Sequence, residues 1–178
     1  MLYTRKGDSG TSGLFGTSER FPKDSPVYDA LGTLDELNSL LGLCRAQTSG
    51  RHDEGLDITK EILNVQQRLF TAQAELAGAQ KHLSHADVEL LESAIETIEN
   101  LIENPHAFVI PGATELSALF DYARAVSRRA ERSIITASKE RPISPATGAY
   151  LNRLSSLLYA LARYTAMQVD EKELSPKY

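Results

Sequence analysis

The amino-acid sequence predicts an all-α protein, a bundle of five long helices. In five stretches of the chain, apolar residues recur three and four positions apart, which places them on one face of a helix. No stretch of useful length alternates apolar and polar residues as a half-buried strand does. With 178 residues, of which 42% are hydrophobic, the chain is long enough to bury a sizeable core.

The predicted helices have local signals at their starts. Pro26 follows Ser25 and suits the first helical position, where its missing amide proton costs nothing. Ser84 and Thr114 can each accept a hydrogen bond from an unpaired first-turn amide as N-caps. Pro145 begins the last helix after a proline-containing loop. The predicted helices cover about 25–47, 56–79, 84–104, 114–138 and 145–168, with a polar loop over 48–55 and a polar tail over 169–178.

Two polar residues lie on or close to the apolar face of the first helix, Asp35 and Asn38. A polar group buried without a partner is costly, so we expect Asp35 to pair with an arginine elsewhere.

The fourth helix has the clearest apolar face. The third helix is expected to end at Asn104-Pro105. The predicted core residues of the fourth helix are Leu116, Leu119, Phe120, Ala123, Ala130 and Ile134. Those of the second helix are Ile58, Ile62, Val65, Leu69, Ala72 and Leu76.

The N-terminal loop, Thr4–Gly13, is rich in glycine and hydroxyl side chains. Its three glycines permit positive φ angles and a close approach of the backbone to a ligand. Successive amides in such a loop form an anion-binding concavity, to which Arg5 and Lys6 add donors. No Gly-Lys-Ser/Thr sequence follows the glycines, so the loop is not a Walker A motif. A flexible arm that binds no phosphate is the alternative interpretation.

Composition narrows the classes of partner and the compartment. The formal net charge of −5 argues against a general nucleic-acid binder. No apolar run approaches the length of a membrane span, and the N-terminus has no apolar segment typical of a signal peptide, so we expect neither a signal peptide nor a transit peptide. Cys44 is the single cysteine, which fits a reducing cytoplasm. Its position in a helical apolar pattern predicts a small buried hydrophobe and not a nucleophile.

Three arginines on the fourth helix, Arg124, Arg128 and Arg132, are four residues apart and form a row beside the apolar face. We call them the arginine row. Their planar forks of donors suit a polyanion such as a triphosphate. Asp121 and Glu131 lie within helical reach of the same row. The alternative is therefore a solvated face in which these acids neutralise the arginines.

Four ordered motifs resemble those of one family, the PduO-type ATP:corrinoid adenosyltransferases. They are the segments Thr4–Thr11 and Gly32–Ser39, Ala123-Arg124 with Arg128–Arg132, and Tyr150–Ser155. The similarity covers nearly the whole chain, and four motifs at the right separations are far more specific than one. The resemblance implies one adenosyltransferase domain over 1–178, with a nucleotide loop (1–24), a five-helix bundle (25–168) and a tail (169–178).

The resemblance also implies a homotrimer with active sites between subunits. One subunit would supply the triphosphate-binding residues Thr4, Arg5, Lys6, Gly7, Asp8, Gly10, Thr11, Ser12, Gly13 and Lys23. The neighbour would supply Arg128, Arg129, Glu131, Arg132 and Asn152, with Arg128 as the catalytic cation. Asp35 would pair with Arg124 across the interface. Phe108 would lie against the corrin and help to keep the lower axial ligand off cobalt.

The implied reaction transfers the 5′-deoxyadenosyl group of ATP to the cobalt of cob(I)alamin or a related corrinoid, releasing triphosphate. Co(I) is itself the nucleophile, so no side-chain base is needed. Mg²⁺ is expected to bind mainly through the ATP phosphates, and its protein ligands are left open. A cob(II)alamin reductase and a B12-dependent acceptor enzyme are the expected partners in the cytoplasm, with no nucleic acid and no membrane.

Several positions depart from the common pattern of this family. Ala113 replaces a usual glycine, and Ser12 replaces a usual threonine but keeps its hydroxyl. Asp121, Ala125 and Ser156 stand where histidine, threonine and aspartate are frequent. These departures bear on the corrinoid side more than on the nucleotide side. Two alternatives follow: a corrinoid-binding carrier or regulatory bundle without catalysis, and a helical assembly module whose arginines bridge subunits.

Overall fold

A computed structural model describes residues 3–15, 17–48, 56–103, 107–169 and 173–177. In these residues the chain forms five α-helices and one small antiparallel sheet. The helices are α1 (Pro26–Thr48), α2 (Ile58–Leu76), α3 (His85–Glu99), α4 (Glu115–Ala137) and α5 (Pro145–Met167). The predicted five-helix architecture is confirmed.

The helix starts follow from local capping. Ser84 accepts a hydrogen bond from the Asp87 amide, and Asp87 accepts one from the Ser84 amide, which completes a capping box at α3. Thr114 caps α4 in the same way, through Ser117. Helix α2 begins two residues later than predicted, at Ile58, because the side chain of Asp57 accepts the Lys60 amide and acts as the N-cap.

Two helix ends lie earlier than predicted. Helix α2 ends at Leu76 and not at position 79, because Gly78 takes a φ of +98° that a helix cannot continue. Helix α3 ends at Glu99, with Asn100 as its C-cap, and the chain then turns so that Ile102 packs on the core. The expected stop at Asn104-Pro105 lies outside the described residues.

The N-terminal segment contains a hairpin that the sequence did not predict. Strands β1 (Thr11–Gly13) and β2 (Arg20–Pro22) pair antiparallel, with Thr11 opposite Pro22. Strands of three residues are too short to show an alternating pattern, so periodicity could not reveal them. The hairpin brings the N-terminal loop back toward the start of α1.

Helix α4 lies between α1 and α5, while α2 packs on α1 and α3 packs on α5. The predicted stripe of α2 is buried throughout, and Leu116, Phe120, Ala123, Ala130 and Ile134 of α4 are buried as well. Leu119 is half-buried against this core. No helix in the described part of the chain is long and apolar enough to cross a membrane.

Two sequence predictions about polar and sulfur-containing residues have clear outcomes. Cys44 is completely buried, and burial raises the pKa of its thiol to about 12, as expected for a small core residue. Asn38, not Asp35, is buried on α1, together with Thr33 and Thr48. The backbone carbonyl of Asn38 accepts a 3.0 Å hydrogen bond from Gln66 Nε2 on α2, and its side-chain Nδ2 donates to the backbone carbonyl of Gln66 at 3.5 Å. Asp35 is exposed, because it lies on the outer side of the same helix.

Candidate functional site

Arg20, on β2, fastens the N-terminal loop. Its Nε donates to Thr11 Oγ1 at 3.0 Å, and its Nη2 donates to the carbonyls of Thr11 at 2.8 Å and Lys6 at 2.5 Å. Two turn hydrogen bonds, from the Asp8 amide to Arg5 O and from the Gly10 amide to Gly7 O, complete the loop. One guanidinium thus occupies three oxygen acceptors of the loop and fixes its shape.

Two glycines in the loop, Gly7 and Gly10, lie at positions where a larger residue would clash or be strained. Gly10 has a φ of +77°, a conformation that other residues adopt only at a cost, and Arg5 has a φ of +59°. A Cβ on Gly7 would lie 3.0 Å from the Nζ of Lys23, so glycine leaves the room that the ammonium group occupies. The Lys23 amide also donates to Gly10 O at 2.9 Å. The loop therefore curves around the ammonium group of Lys23, the residue that the family resemblance had grouped with this loop.

Asp121 and Glu131 do not pair with the arginine row, contrary to the interpretation in which these two acids neutralise it. Glu131 accepts a 2.8 Å hydrogen bond from Asn152 Nδ2 on α5. Arg128 and Arg132 are exposed, and neither guanidinium has an ion pair or hydrogen bond within the described ranges. Asp121 pairs instead with Arg163 on α5, at 2.5 Å.

Other members of the predicted site have partners of their own. Arg129 forms an ion pair with Glu36 of α1, and so points away from the row. The guanidinium of Arg124 lies over the ring of Tyr159, 5.6 Å from its centroid. This contact holds the half-buried side chain of Arg124 near α5.

A cleft of about 740 Å³ opens between α4, α5 and the segment 107–111. We call it the α4–α5 cleft. Arg124 and Arg128 line one side of it, and Phe108 lines another with 78% of its surface exposed. An exposed phenylalanine beside a cleft of this size is typical of a surface awaiting a large, partly apolar ligand. The three positions that depart from the family pattern on the corrinoid side, Asp121, Ala125 and Ser156, all line it.

The predicted site residues fall into two separate groups within one protomer. No hydrogen bond or ion pair joins the N-terminal loop to the arginine row among the residues that the structure describes. Arg132 lines a smaller cleft of about 360 Å³ together with Asp24 and with Pro26 at the start of α1. Asp35 is likewise unpaired with Arg124 in the protomer.

Sequence reasoning missed Arg20, Tyr159, Arg163 and Glu173. An isolated charge inside the apolar run from Leu157 to Ala166 was the signal that could have identified Arg163 as a buried ion-pair residue. Arg20 carried no such signal, since its role depends on the hairpin. Within the described ranges, no cluster of three or more His, Cys, Asp or Glu side chains could hold a metal ion.

The fold and the site define a five-helix bundle with two exposed arginines that are unpaired within the described ranges and a glycine-containing loop beside Lys23, groups of the kind that bind polyanions. The sequence profile of the family described as cobalamin adenosyltransferase matches residues 2–165. The chain belongs to this family.

Relatives with curated names agree with this assignment. The corrinoid adenosyltransferase PduO of Salmonella typhimurium is 38% identical over 183 aligned positions, which cover 99% of this chain and 54% of the relative. The corrinoid adenosyltransferase of Bacillus subtilis is 37% identical over 166 positions, covering 91% of this chain and 84% of the relative. The chain thus spans about half the length of the Salmonella protein and most of the Bacillus one.

The fold agrees equally well with solved structures. A variant of the PduO-type ATP:corrinoid adenosyltransferase from Lactobacillus reuteri, complexed with cobalamin and ATP, matches with a TM-score of 0.89 at 27% identity. The match covers all of both chains. A second variant of that enzyme, complexed with ATP, matches with a TM-score of 0.87 at 28% identity. The predicted family and fold are confirmed.

Proposed function

We propose that this protein transfers the 5′-deoxyadenosyl group of ATP to the cobalt of a reduced corrinoid such as cob(I)alamin. The observation that carries the proposal is the exposed guanidinium of Arg128, which has no partner within the described ranges, at the edge of the cleft that contains Phe108. A cation suited to phosphate and an aromatic surface suited to a macrocycle thus lie side by side. The complexes of the Lactobacillus relative with cobalamin and ATP support the same pair of ligands.

In the proposed reaction, Co(I) donates an electron pair to C5′ of ATP, and a cobalt–carbon bond forms. The bond between C5′ and the triphosphate oxygen breaks, and triphosphate departs with that bond's electron pair. Cobalt is thereby oxidised by two electrons to Co(III). The corrinoid supplies the nucleophile, so the protein contributes position and charge stabilisation and no side-chain base.

The nucleotide half of the site consists of the N-terminal loop with Lys23 and the row on α4. Arg20 holds the loop carbonyls, and the loop curves around Lys23 Nζ, which would meet a phosphate oxygen. Arg128 and Arg132 would bind the departing triphosphate, with Arg128 in the catalytic position, and Asn152 orients Glu131 beside them. Mg²⁺ would accompany ATP, held mainly by phosphate oxygens, and would offset part of their charge.

The corrinoid half is the α4–α5 cleft with Phe108. A phenyl ring against the lower face of the corrin would keep an axial ligand away from cobalt, which makes Co(II) easier to reduce to the nucleophilic Co(I). Tyr159 and the alkyl part of Arg124 add an adjoining surface. Ala125 and Ser156 are small, and they leave this side of the cleft open.

A homotrimer would join the two halves. In the protomer Asp35 is exposed, and pairing with Arg124 of a neighbouring copy would bring an N-terminal loop to each arginine row. Tyr122 and Ile135 on α4 and Leu43 on α1 are each more than half exposed, which fits an apolar contact between copies. The segments 1–24, 25–168 and 169–178 would act as one cytoplasmic domain, supplied with Co(I) by a reductase and delivering product to a B12-dependent enzyme.

The test is spectroscopic. Chemically reduced cob(I)alamin is mixed with Mg-ATP and protein, and the adenosylcobalamin spectrum is followed with the wild type and with Arg128→Ala. We expect turnover by the wild type and a loss of about a hundredfold or more in kcat for the variant, the usual cost of one charge-stabilising donor. Arg45→Ala, at a half-buried arginine near the end of α1, is the matched control.

ATP binding separates the remaining alternatives. A ligand that binds only the native state raises the melting temperature, so Mg-ATP should stabilise both an enzyme and an ATP-dependent carrier. Stabilisation without turnover would favour the non-catalytic carrier. Neither stabilisation nor turnover, with loss of oligomer in Arg128→Ala, would favour the assembly module.

A further inference from the structure

The C-terminal segment Glu173–Lys177 is attached to the segment that carries Phe108. The Ile110 amide donates to the carbonyl of Leu174 at 2.7 Å, and the two residues form an isolated antiparallel bridge. This bridge lies two residues after Phe108. Because 78% of the Phe108 surface is exposed, packing does little to hold its ring, and the restraint on its position comes from the backbone.

Arg163 of α5 is the anchor on the other side of this attachment. Its side chain is 3% exposed, and it pairs at 2.5 Å with Asp121 of α4, whose side chain is 9% exposed. The ring of Tyr159 lies 4.9 Å from the guanidinium carbon. Held by two helices and an aromatic ring, the guanidinium is a rigid point within the α4–α5 cleft.

Glu173 reaches the same guanidinium from the C-terminal segment. Its Oε1 lies 3.0 Å from Arg163 Nε, with a side chain that is 20% exposed. The two atoms are close but not aligned for a hydrogen bond, and neither has a hydrogen-bond partner among the residues that the structure describes. The contact is therefore an ion pair without an aligned hydrogen bond. It places Leu174, the next residue, where its carbonyl meets Ile110.

We propose that Glu173 is a positioning residue for the corrinoid half of the site: by pairing with Arg163 it holds the C-terminal segment against Ile110 and thereby fixes Phe108 at the cleft. The inference rests on the proposed function, since it assigns Phe108 to the corrinoid. The segment Glu173–Lys177 then supports the segment that carries Phe108 without itself lining the α4–α5 cleft. When Glu173 is replaced by a neutral residue, Asp121 still compensates the charge of Arg163. The fold therefore does not depend on the contact between Glu173 and Arg163.

Glu173→Gln is the decisive variant, because it removes the charge and keeps the shape. Glu96→Gln, at an exposed glutamate on α3, is the matched control. Hydrogen exchange of the peptide containing Ile110 is measured by mass spectrometry. We expect exchange about tenfold faster in Glu173→Gln and unchanged in Glu96→Gln, since a released amide loses its protection.

Steady-state kinetics are measured on the same proteins. In Glu173→Gln we expect kcat/KM for the corrinoid to fall about tenfold, as misplacement of a substrate-positioning group does, with the Kd for Mg-ATP unchanged. A purely structural role would lower the melting temperature and the affinity for ATP together. Restoration by Glu173→Asp of part of the corrinoid effect would further support the charge pair.

Unchanged exchange at Ile110 would overturn the inference, and so would faster exchange with unchanged corrinoid kinetics. Failure of the proposed function gives a different result. In that case the wild type transfers no adenosyl group, and the exchange rate of the Ile110 peptide still shows whether Glu173 holds the C-terminal segment. In that case visible absorbance is used to measure corrinoid binding to the wild type and to Glu173→Gln, which tests the position of Phe108 without turnover.

Discussion

The guanidinium of Arg163 lies 2.5 Å from the carboxylate of Asp121, and both side chains are almost fully buried between α5 and α4. The two residues are 42 positions apart in sequence. In the low-dielectric interior each charge depends on the other, because neither can be solvated by water. The pair fixes one end of the α4–α5 cleft and provides the contact point for the C-terminal segment.

Removing one partner of this pair should be strongly destabilising. We expect Arg163→Ala to lower the free energy of unfolding by about 3–5 kcal/mol, because it leaves Asp121 buried and uncompensated. Urea denaturation at a fixed protomer concentration measures the effect. The control is Arg153→Ala, on the same helix, whose pair with Glu92 is nearly half exposed and should contribute no more than about 1 kcal/mol. Equal losses for the two variants would contradict the argument.

Gly7→Ala should weaken ATP binding without unfolding the protein. The added methyl group would meet the Nζ of Lys23 at 3.0 Å, and this flexible side chain can move away, which takes the ammonium from the loop. We expect about a fivefold rise in the Kd for Mg-ATP by calorimetry, which corresponds to about 1 kcal/mol. Gly148→Ala in α5 is the control, since the added Cβ would lie 4.0 Å from its nearest neighbour, the Cδ1 of Ile143. An unchanged Kd for Gly7→Ala would show that Lys23 does not contact the nucleotide.

Asp87 should make stability depend on pH in the acid range. Partial burial would raise the pKa of its carboxyl, but hydrogen bonds from Ser84 and the nearby Arg68 outweigh it and hold the pKa below the ordinary 3.8. A lowered pKa in the folded state means that the unfolded state binds more protons in this range. The contribution of the carboxylate is therefore complete above the unfolded pKa and is lost as pH falls through the folded one.

Asp87→Asn tests this dependence. At neutral pH we expect the variant to be less stable by about 1 kcal/mol, because asparagine can still accept from Ser84 but loses the charge that faces Arg68. Below pH 3.8 the difference from wild type should shrink, because the wild-type carboxyl becomes protonated as well. Urea titrations across this range measure both curves. A difference that stayed constant with pH would mean that shape, and not charge, accounts for the effect.

Cys44 should be inert in the native protein. Its thiol is fully buried and burial raises its pKa to about 12, so almost none of it is the reactive thiolate at neutral pH. We expect no labelling by a thiol-reactive dye in buffer and complete labelling in concentrated guanidinium chloride. Fast labelling of the folded protein would show that the core opens at α1.

Much of the fold could be predicted from the sequence because its determinants are local. Ser84 and Thr114 are helix caps that act over three residues, and the apolar stripe of α2 repeats within one helix. Where prediction erred, the cause was local as well: Asp57 had not been assigned as a cap, and Gly78 ends α2 through its positive φ.

The candidate site could be predicted only in part. Arg128 and Arg132 were predicted to face a ligand, and the structure leaves them exposed and without ion pairs in its described ranges. The role of Arg20 was missed, because three loop oxygens converge on it only after the hairpin has formed. Asp121 was assigned to the arginine row by helical spacing, but its partner lies on another helix.

The sequence by itself determined where the helices begin, which faces are apolar, and which motifs belong to the family, since each depends on residues close together in the chain. Only the tertiary structure decided how charges pair. Asp121 has arginines within helical reach, yet it binds Arg163, because burial between α4 and α5 makes that pair far more consequential than an exposed one. The arginine row remains available to a ligand because its acidic neighbours, Asp121 and Glu131, have partners on α5.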